Sequence, residues 1–195
     1  TTYLKRVWMG NGIHHHYSQD KYIPYFSSTY FKQLVKSIAP SKLPMTKGET
    51  VDMLVVKLTP IIFDPKIYPK RTNQSEGVDL IKTSANNYYE GVTQPEVEAF
   101  YGKMKDPNDS KPVSYGLNSK LVKEKGLLIE KTYKVGGLYT AAITRIVSWL
   151  EKAAKFAEND KQKGVINSLI EFYRTGDLKT YDNYSIRWVE DLNSQ

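Results

Sequence analysis

Cysteine is absent from the 195 residues. That excludes disulfides and thiolate metal sites, and it removes the usual clue to redox compartment. Histidine is scarce: His14, His15 and His16 are the only three, all inside "GNGIHHHYSQDKYIP". Catalytic zinc takes three protein ligands and a water, and structural zinc takes four. This cluster would therefore need carboxylates to complete a site, and no H-E-x-x-H helix pattern is present to assist it. No G-x-S-x-G elbow occurs, and no histidine outside the cluster could serve a nucleophilic serine. Long apolar runs are missing too: none approaches the roughly 20 residues that cross a bilayer.

What is present is enough for a packed core. Hydrophobic residues make up 40% of the chain and charged residues 25%, which is not a disordered composition. The formal charge of +7 would suit a nucleic acid or an acidic partner. The lysines are scattered, however, and runs such as "KLVKEKG" include a glutamate, so a solvated basic surface is the expectation. The rival is a basic helical module that binds RNA or an acidic protein, with affinity falling steeply in salt. Fifteen tyrosines offer flat apolar rings with polar tips, suited either to half-buried core positions or to clefts that hold peptides or sugars.

Periodicity predicts a mostly helical chain. "SSTYFKQLVKSIAP" opens on serines fit for an N-cap and places Tyr30, Phe31, Leu34, Val35 and Ile38 on one face before Pro40. In "TKGETVDMLVVKLTP", Thr46 and Glu49 have capping-box spacing, and the helix is expected to stop at Pro60. Residues 60–78 hold three prolines and read as an irregular crossing. "VTQPEVEAFYGKM" has Thr93 as cap, Pro95 in the first turn, Glu96 closing the box, and a stripe of Val97, Phe100, Tyr101 and Met104. "SYGLNSKLV" and "LLIEKTY" read as a β-hairpin. After Gly136 and Gly137 come three helical stripes: Ile143, Ile146, Val147, Leu150, Ala153, Ala154 and Ala157; then Val165, Leu169, Phe172 and Tyr173; then Leu178, Tyr181, Ser185, Trp188 and Leu192. Links as short as "ND" and "TG" imply antiparallel neighbours.

The fold class expected is α+β, predominantly α-helical with a small antiparallel β element. The whole chain, 1–195, reads as a single lobe: helices and crossing over 1–112, hairpin over 113–136, three-helix stretch over 137–195. "TTYLKRVWM" is already amphipathic at one end and "SIRWVEDLNSQ" still patterned at the other, so the chain is expected to be a segment of something longer. A soluble protein, cytoplasmic or periplasmic, is expected. Glu96 and Glu98 fall on an exposed helix face, where solvation accounts for them better than acid–base work. "GNGIHH" lacks the strand before it and the lysine-serine or lysine-threonine after it that a phosphate loop requires.

Two regions taken together resemble the dipeptidyl peptidase III family of zinc metallopeptidases (family M49), in its bacterial branch. One is "NGIHHHYSQDKYIP", with a glycine turn leading to Tyr17, then Lys21, Tyr22, Ile23 and Pro24. The other is "YTAAITRIVSWLEKAAKFAENDKQKGVINSLIEFYRTGDLKTYDNYSIRWVED", similar to the family's helix pair, "I-E-x-[FY]" helix, "TGD" link and tryptophan helix. The resemblance implies one lobe of a two-lobed aminopeptidase that releases dipeptides from the free N-terminus of oligopeptides. It places zinc in the other lobe, on an H-E-x-x-G-H helix and a later glutamate; that helix is not in this sequence. It also implies that the strand gripping the peptide backbone would follow Gln195, so that the segment alone binds no zinc and is inactive. Its partners are then an oligopeptide and the zinc-binding lobe of the same polypeptide, with no nucleic acid and no membrane. By the same resemblance His16, Tyr17 and Ser18 contact substrate near its N-terminal residue. The family carries a small polar residue, an aromatic and a glycine at those positions, which leaves two readings of the cluster open. It is either a wall of the substrate cleft or a buried cap with its imidazoles bonded to helix ends.

Overall fold

The computed structural model describes residues 1–192 and Ser194. Its backbone divides into two compact units, Thr1–Asn86 and Asn87–Gln195. The fold is α+β and mostly helical, with one small sheet.

The first unit holds α1 (Thr2–Met9), α2 (Ser28–Lys36), α3 (Val51–Phe63) and the single turn α4 (Leu80–Thr83). Ser27 caps α2 by accepting the Tyr30 N–H at 3.1 Å, which satisfies one of the orphan donors of a helix start. The helix ends at Lys36, ahead of Pro40, because 40–42 forms a separate 3₁₀ turn. Of its predicted stripe Val35 is buried, while Tyr30 and Leu34 are exposed.

Helix α3 corrects two expectations. Its cap is Thr50, which accepts from Met53 N at 3.2 Å. The Thr46–Glu49 pair instead closes the turn before it, with both the Thr46 N–H and hydroxyl donating to the Glu49 carboxylate. Pro60 does not stop the helix, which runs on to Phe63. A proline deprives the helix of one N–H and crowds the carbonyl four residues back. Here the neighbouring Thr59 hydroxyl bonds Val55 O at 2.6 Å, and Asp64 N resumes the ladder on Pro60 O at 3.0 Å. Leu54 and Val55 are buried. Edge-to-face rings then bind the unit together: Phe26 meets Tyr3 of α1 at 5.8 Å and Phe63 of α3 at 5.7 Å.

The second unit holds β1 (Tyr89–Glu90), α5 (Gln94–Gly102), β2 (Ser119–Glu124), β3 (Leu127–Thr132), α6 (Thr140–Ala153), α7 (Asp160–Thr175) and α8 (Leu178–Glu190). The hairpin β2–β3 pairs antiparallel from Ser119↔Thr132 to Glu124↔Leu127. Lys125 (φ 50°) and Gly126 (φ 83°) form its two-residue turn, and positive φ at both positions is the twist-matched hairpin geometry. The short β1 adds a parallel edge to β2, making the sheet mixed. Leu121, at the centre of β2, is 0% exposed. The capping box at Thr93–Glu96 is complete, and Val97 and Tyr101 are buried as predicted, although Met104 is exposed.

Helices α6 and α7 pack through Ile143, Val147 and Ile170, with Tyr133, Val135, Leu150, Ile166 and Tyr173 around them. The stripe predicted through Ala157 is shorter in the structure, since α6 ends at Ala153. Gly176 (φ 72°) ends α7 in the left-handed conformation, and its amide donates to Phe172 O at 2.7 Å. Its carbonyl accepts from Asn118 Nδ2 at 2.8 Å, which ties the helix end to the base of the hairpin. The α8 pattern stops at Glu190, and Leu192 lies beyond it, exposed. Among the described residues no helix is long and apolar enough to cross a membrane.

Candidate functional site

The histidine stretch begins where α1 ends. Gly10 caps the helix, and a Cβ there would lie 2.7 Å from His14 O, so only glycine admits this approach. Asn11 (φ 50°) and Gly12 (φ 144°) then reverse the chain. Two short extended arms follow, joined by Tyr22 N to Ile13 O at 2.8 Å and His15 N to Asp20 O at 2.8 Å. Residues 16–19 form the loop between them, with Gln19 in the left-handed region (φ 65°).

The three imidazoles take three different roles. His14 is 6% exposed, and its Nε2 donates to Tyr68 O at 2.9 Å, which seats the arm on the 64–71 crossing. His15 turns back on its own loop: Nδ1 accepts the N–H groups of Tyr17 and Ser18, each at 3.2 Å. Bonded this way, both rings carry their neutral-form proton on Nε2. His16 is exposed, stacked on the His15 ring at 5.0 Å and tilted against the Tyr17 ring at 4.1 Å. The cap reading thus describes His14 and His15, although what they bond is a crossing carbonyl and loop amides rather than helix ends. His16, Tyr17 and Ser18 stand together as an exposed knuckle, with Tyr17 82% accessible.

Lys21 holds the second arm. Its ammonium donates to Asp64 O at 2.5 Å and Ile67 O at 2.7 Å, where α3 gives way to the crossing. Burial lowers its pKa, and the Asp64 carboxylate partly offsets that. The backbone adds Lys21 N to Pro69 O and Arg71 N to Gln19 O. Asp20 faces Lys70 at 3.1 Å, and the Ser18 hydroxyl and Lys70 ammonium hold its carboxyl below the usual range. The knuckle is therefore presented by two arms anchored on a third segment. Sequence reasoning singled out Lys21 only as part of a motif; its clamp over two carbonyls depends on a contact 43 residues away.

Among the described residues no three histidines or carboxylates converge to hold a metal ion.

Three glutamates of the second unit are engaged structurally. Glu96 bonds Thr93 and Lys123, which pulls its pKa to about 2, Lys123 being the larger cause. Glu98 accepts from Gln94. Glu130 accepts the Ser119 hydroxyl at 2.5 Å and the Tyr101 hydroxyl at 3.0 Å. Burial first, with Glu130 adding, pushes Tyr101 up to about 12.

With this geometry in hand, comparison with known proteins is informative. The sequence profile of "Peptidase family M49" matches residues 81–195, more than half of the chain. The chain belongs to peptidase family M49. The match takes in the sheet and the three C-terminal helices, while the knuckle lies outside the matched residues. No curated protein matches the sequence. Among solved structures the chain is similar to DPP III from Caldithrix abyssi, at 16% identity and a TM-score of 0.41 over 85% of this chain. It spans 28% of the length of that protein.

Proposed function

We propose that this M49 chain is the zinc-free, substrate-facing lobe of a dipeptidyl peptidase III-type enzyme that releases dipeptides from the N-terminus of oligopeptides. The observation that carries the proposal is the family match over 81–195. The sequence contains no H-E-x-x-G-H helix, and in this reading zinc sits on another part of the enzyme. Zinc bound there would supply Lewis-acid chemistry for the scissile carbonyl and the attacking water. This chain contributes positioning: a peptide held in register reacts as if at high effective concentration.

His16, Tyr17 and Ser18 are the residues we assign to the substrate's N-terminal end. Their exposure supports that role, as does their mounting on arms anchored by Lys21 and His14. Tyr17 offers a flat apolar face with a hydroxyl, and the neighbouring imidazole and serine offer hydrogen bonds. On the hairpin Lys120, Lys123 and Lys131 each face a carboxylate, of Glu90, Glu96 and Glu124. That local neutralisation favours the peptidase reading over a basic module for RNA or an acidic protein.

The test is hydrolysis of a dipeptidyl-arylamide by the purified chain, with and without added zinc. No release is expected. Release that a chelator abolishes would overturn the division of labour.

A further inference from the structure

The loop that carries Tyr17 is closed by an imidazole, at a position where asparagine, aspartate or serine usually serves. Short polar side chains cap turns of this kind because they accept the N–H groups two and three residues on. Here His15 Nδ1 takes those two N–H groups, from Tyr17 and Ser18, at 3.2 Å each. Arg71 holds the loop's far end, its N–H on Gln19 O at 2.8 Å and its Nε on Gln19 Oε1 at 3.1 Å; within the loop the remaining bonds are few. Gln19 N reaches His15 O at 3.0 Å, the Gln19 side chain reaches His16 O at 3.1 Å, and Asp20 N meets Ser18 Oγ at 3.4 Å.

We infer that His15 is a proton-sensitive clasp: its neutral ring fastens the 16–19 loop, and protonation of Nδ1 releases it, so that acid changes how Tyr17 is presented. The chemistry is a reversal of polarity at one atom. A neutral imidazole has one accepting nitrogen, whereas the imidazolium donates from both. Protonated Nδ1 would point an N–H at two N–H donors, and the loop would lose both bonds at once. Histidine is the ordinary side chain whose charge changes between pH 5 and 8, which is the range to probe.

Several charged and aromatic groups face the ring. On the loop itself His15 is stacked on His16 at 5.0 Å, tilted to Tyr17 at 6.1 Å and edge-on to Tyr22 at 5.9 Å. The Asp20 carboxylate and the Lys21 ammonium lie on the returning arm. From the 64–71 crossing come Lys70, paired to Asp20 at 3.1 Å, and Arg71, bonded to Gln19 Oε1 at 3.1 Å. The clasp stands on these contacts alone; only its consequence for peptide rests on the function proposed above.

The test is a pH titration of the purified chain from 8 to 5, followed by ¹H–¹⁵N spectra of the backbone amides and of the histidine ring nitrogens. At pH 8 the His15 Nδ1 should be the unprotonated nitrogen. On acidification the Tyr17 and Ser18 amides should move with the midpoint of the His15 ring. Their hydrogen exchange, corrected for intrinsic rates, should quicken about 3- to 10-fold, the worth of one modest hydrogen bond. His15→Asn, whose side-chain oxygen accepts the same N–H groups at every pH, should abolish the step and keep the loop closed. A protonated Nδ1 at pH 8 overturns the clasp, and so do loop amides that stay still while the His15 ring titrates. A step that persists in His15→Asn transfers the effect to His16 or Asp20 and also overturns it. If the variant does not fold, the wild-type ring and amide spectra decide by themselves. No peptide is present in these measurements, so the clasp can fail while Tyr17 still contacts substrate, and it can hold if Tyr17 does not.

Discussion

Replacing Lys21 by methionine isolates the contact that mounts the knuckle. Methionine keeps most of the apolar stem and deletes only the ammonium. The wild-type group makes two short charge-assisted bonds, to Asp64 O (2.5 Å) and Ile67 O (2.7 Å). Bonds of that type contribute about 1.5–3 kcal/mol each, for a gross loss of about 3–6 kcal/mol. Two effects offset part of this. The ammonium is partly desolvated in the native state, as its lowered pKa reflects, and methionine avoids that cost. Water also reaches the half-buried site and can satisfy the carbonyls left behind. A net loss of about 2 kcal/mol follows from these opposing contributions. With a urea m-value of about 2 kcal/mol/M, the unfolding midpoint of the first unit should drop by about 1 M. The Tyr22 and His14 amides, followed by NMR, would report on that unit separately from the second. Lys21→Arg should recover part of the loss, since its donors reach the same carbonyls with a different fork. A midpoint shift below about 0.2 M for Lys21→Met would show that the clamp contributes little and that the reasoning about the arms is wrong.

Three further outcomes are expected. Leu121→Ala empties the 0% exposed centre of β2 and should cost about 2–5 kcal/mol, read from denaturant unfolding of the second unit. Gly176→Ala should destabilise more than Gly91→Ala: both have positive φ (72° and 69°), worth about 1–2 kcal/mol each. Only at Gly176 would the new Cβ also meet a side chain at 2.6 Å, the Thr132 Cγ2; at Gly91 the nearest atom is 3.6 Å away. Glu96 has its folded pKa lowered to about 2, first by Lys123 and then by Thr93. The stability it adds is therefore present above its unfolded value near 4.5 and is lost as pH falls toward 2. Wild type and Glu96→Gln should accordingly differ in unfolding midpoint at pH 6 and converge near pH 2; a gap that is unchanged at low pH contradicts the assignment.

Local rules made much of this fold legible. The box at Thr93–Glu96 and the serine cap at Ser27 are complete within four residues, so no distant contact was needed to read them. The hairpin announced itself by a change of period and by Lys125-Gly126. Pro60 misled because a proline removes one N–H from the ladder without ending it: the Asp64 amide resumes bonding on Pro60 O, and nothing in the one-letter code weighs that continuation against the lost N–H. β1 was missed because two residues have no period; its pairing partner lies more than 30 positions on. The histidine run was conspicuous in the sequence, yet its three roles were not, since they depend on Tyr68, on the loop's own amides and on solvent in turn. Lys21 belongs with that group: its partners are supplied by the crossing, whose path sequence reasoning left irregular.

In the proposed function this M49 chain holds the peptide's free end while zinc on another lobe cuts it. The most direct measurement is steady-state release of dipeptides by the enzyme that carries this chain together with its zinc-binding lobe, comparing wild type with Tyr17→Ala and measuring zinc content alongside. The expected result is a KM raised about tenfold, the worth of one well-placed aromatic contact, with bound zinc unchanged. An unchanged KM, or a loss of zinc on changing Tyr17, would contradict it.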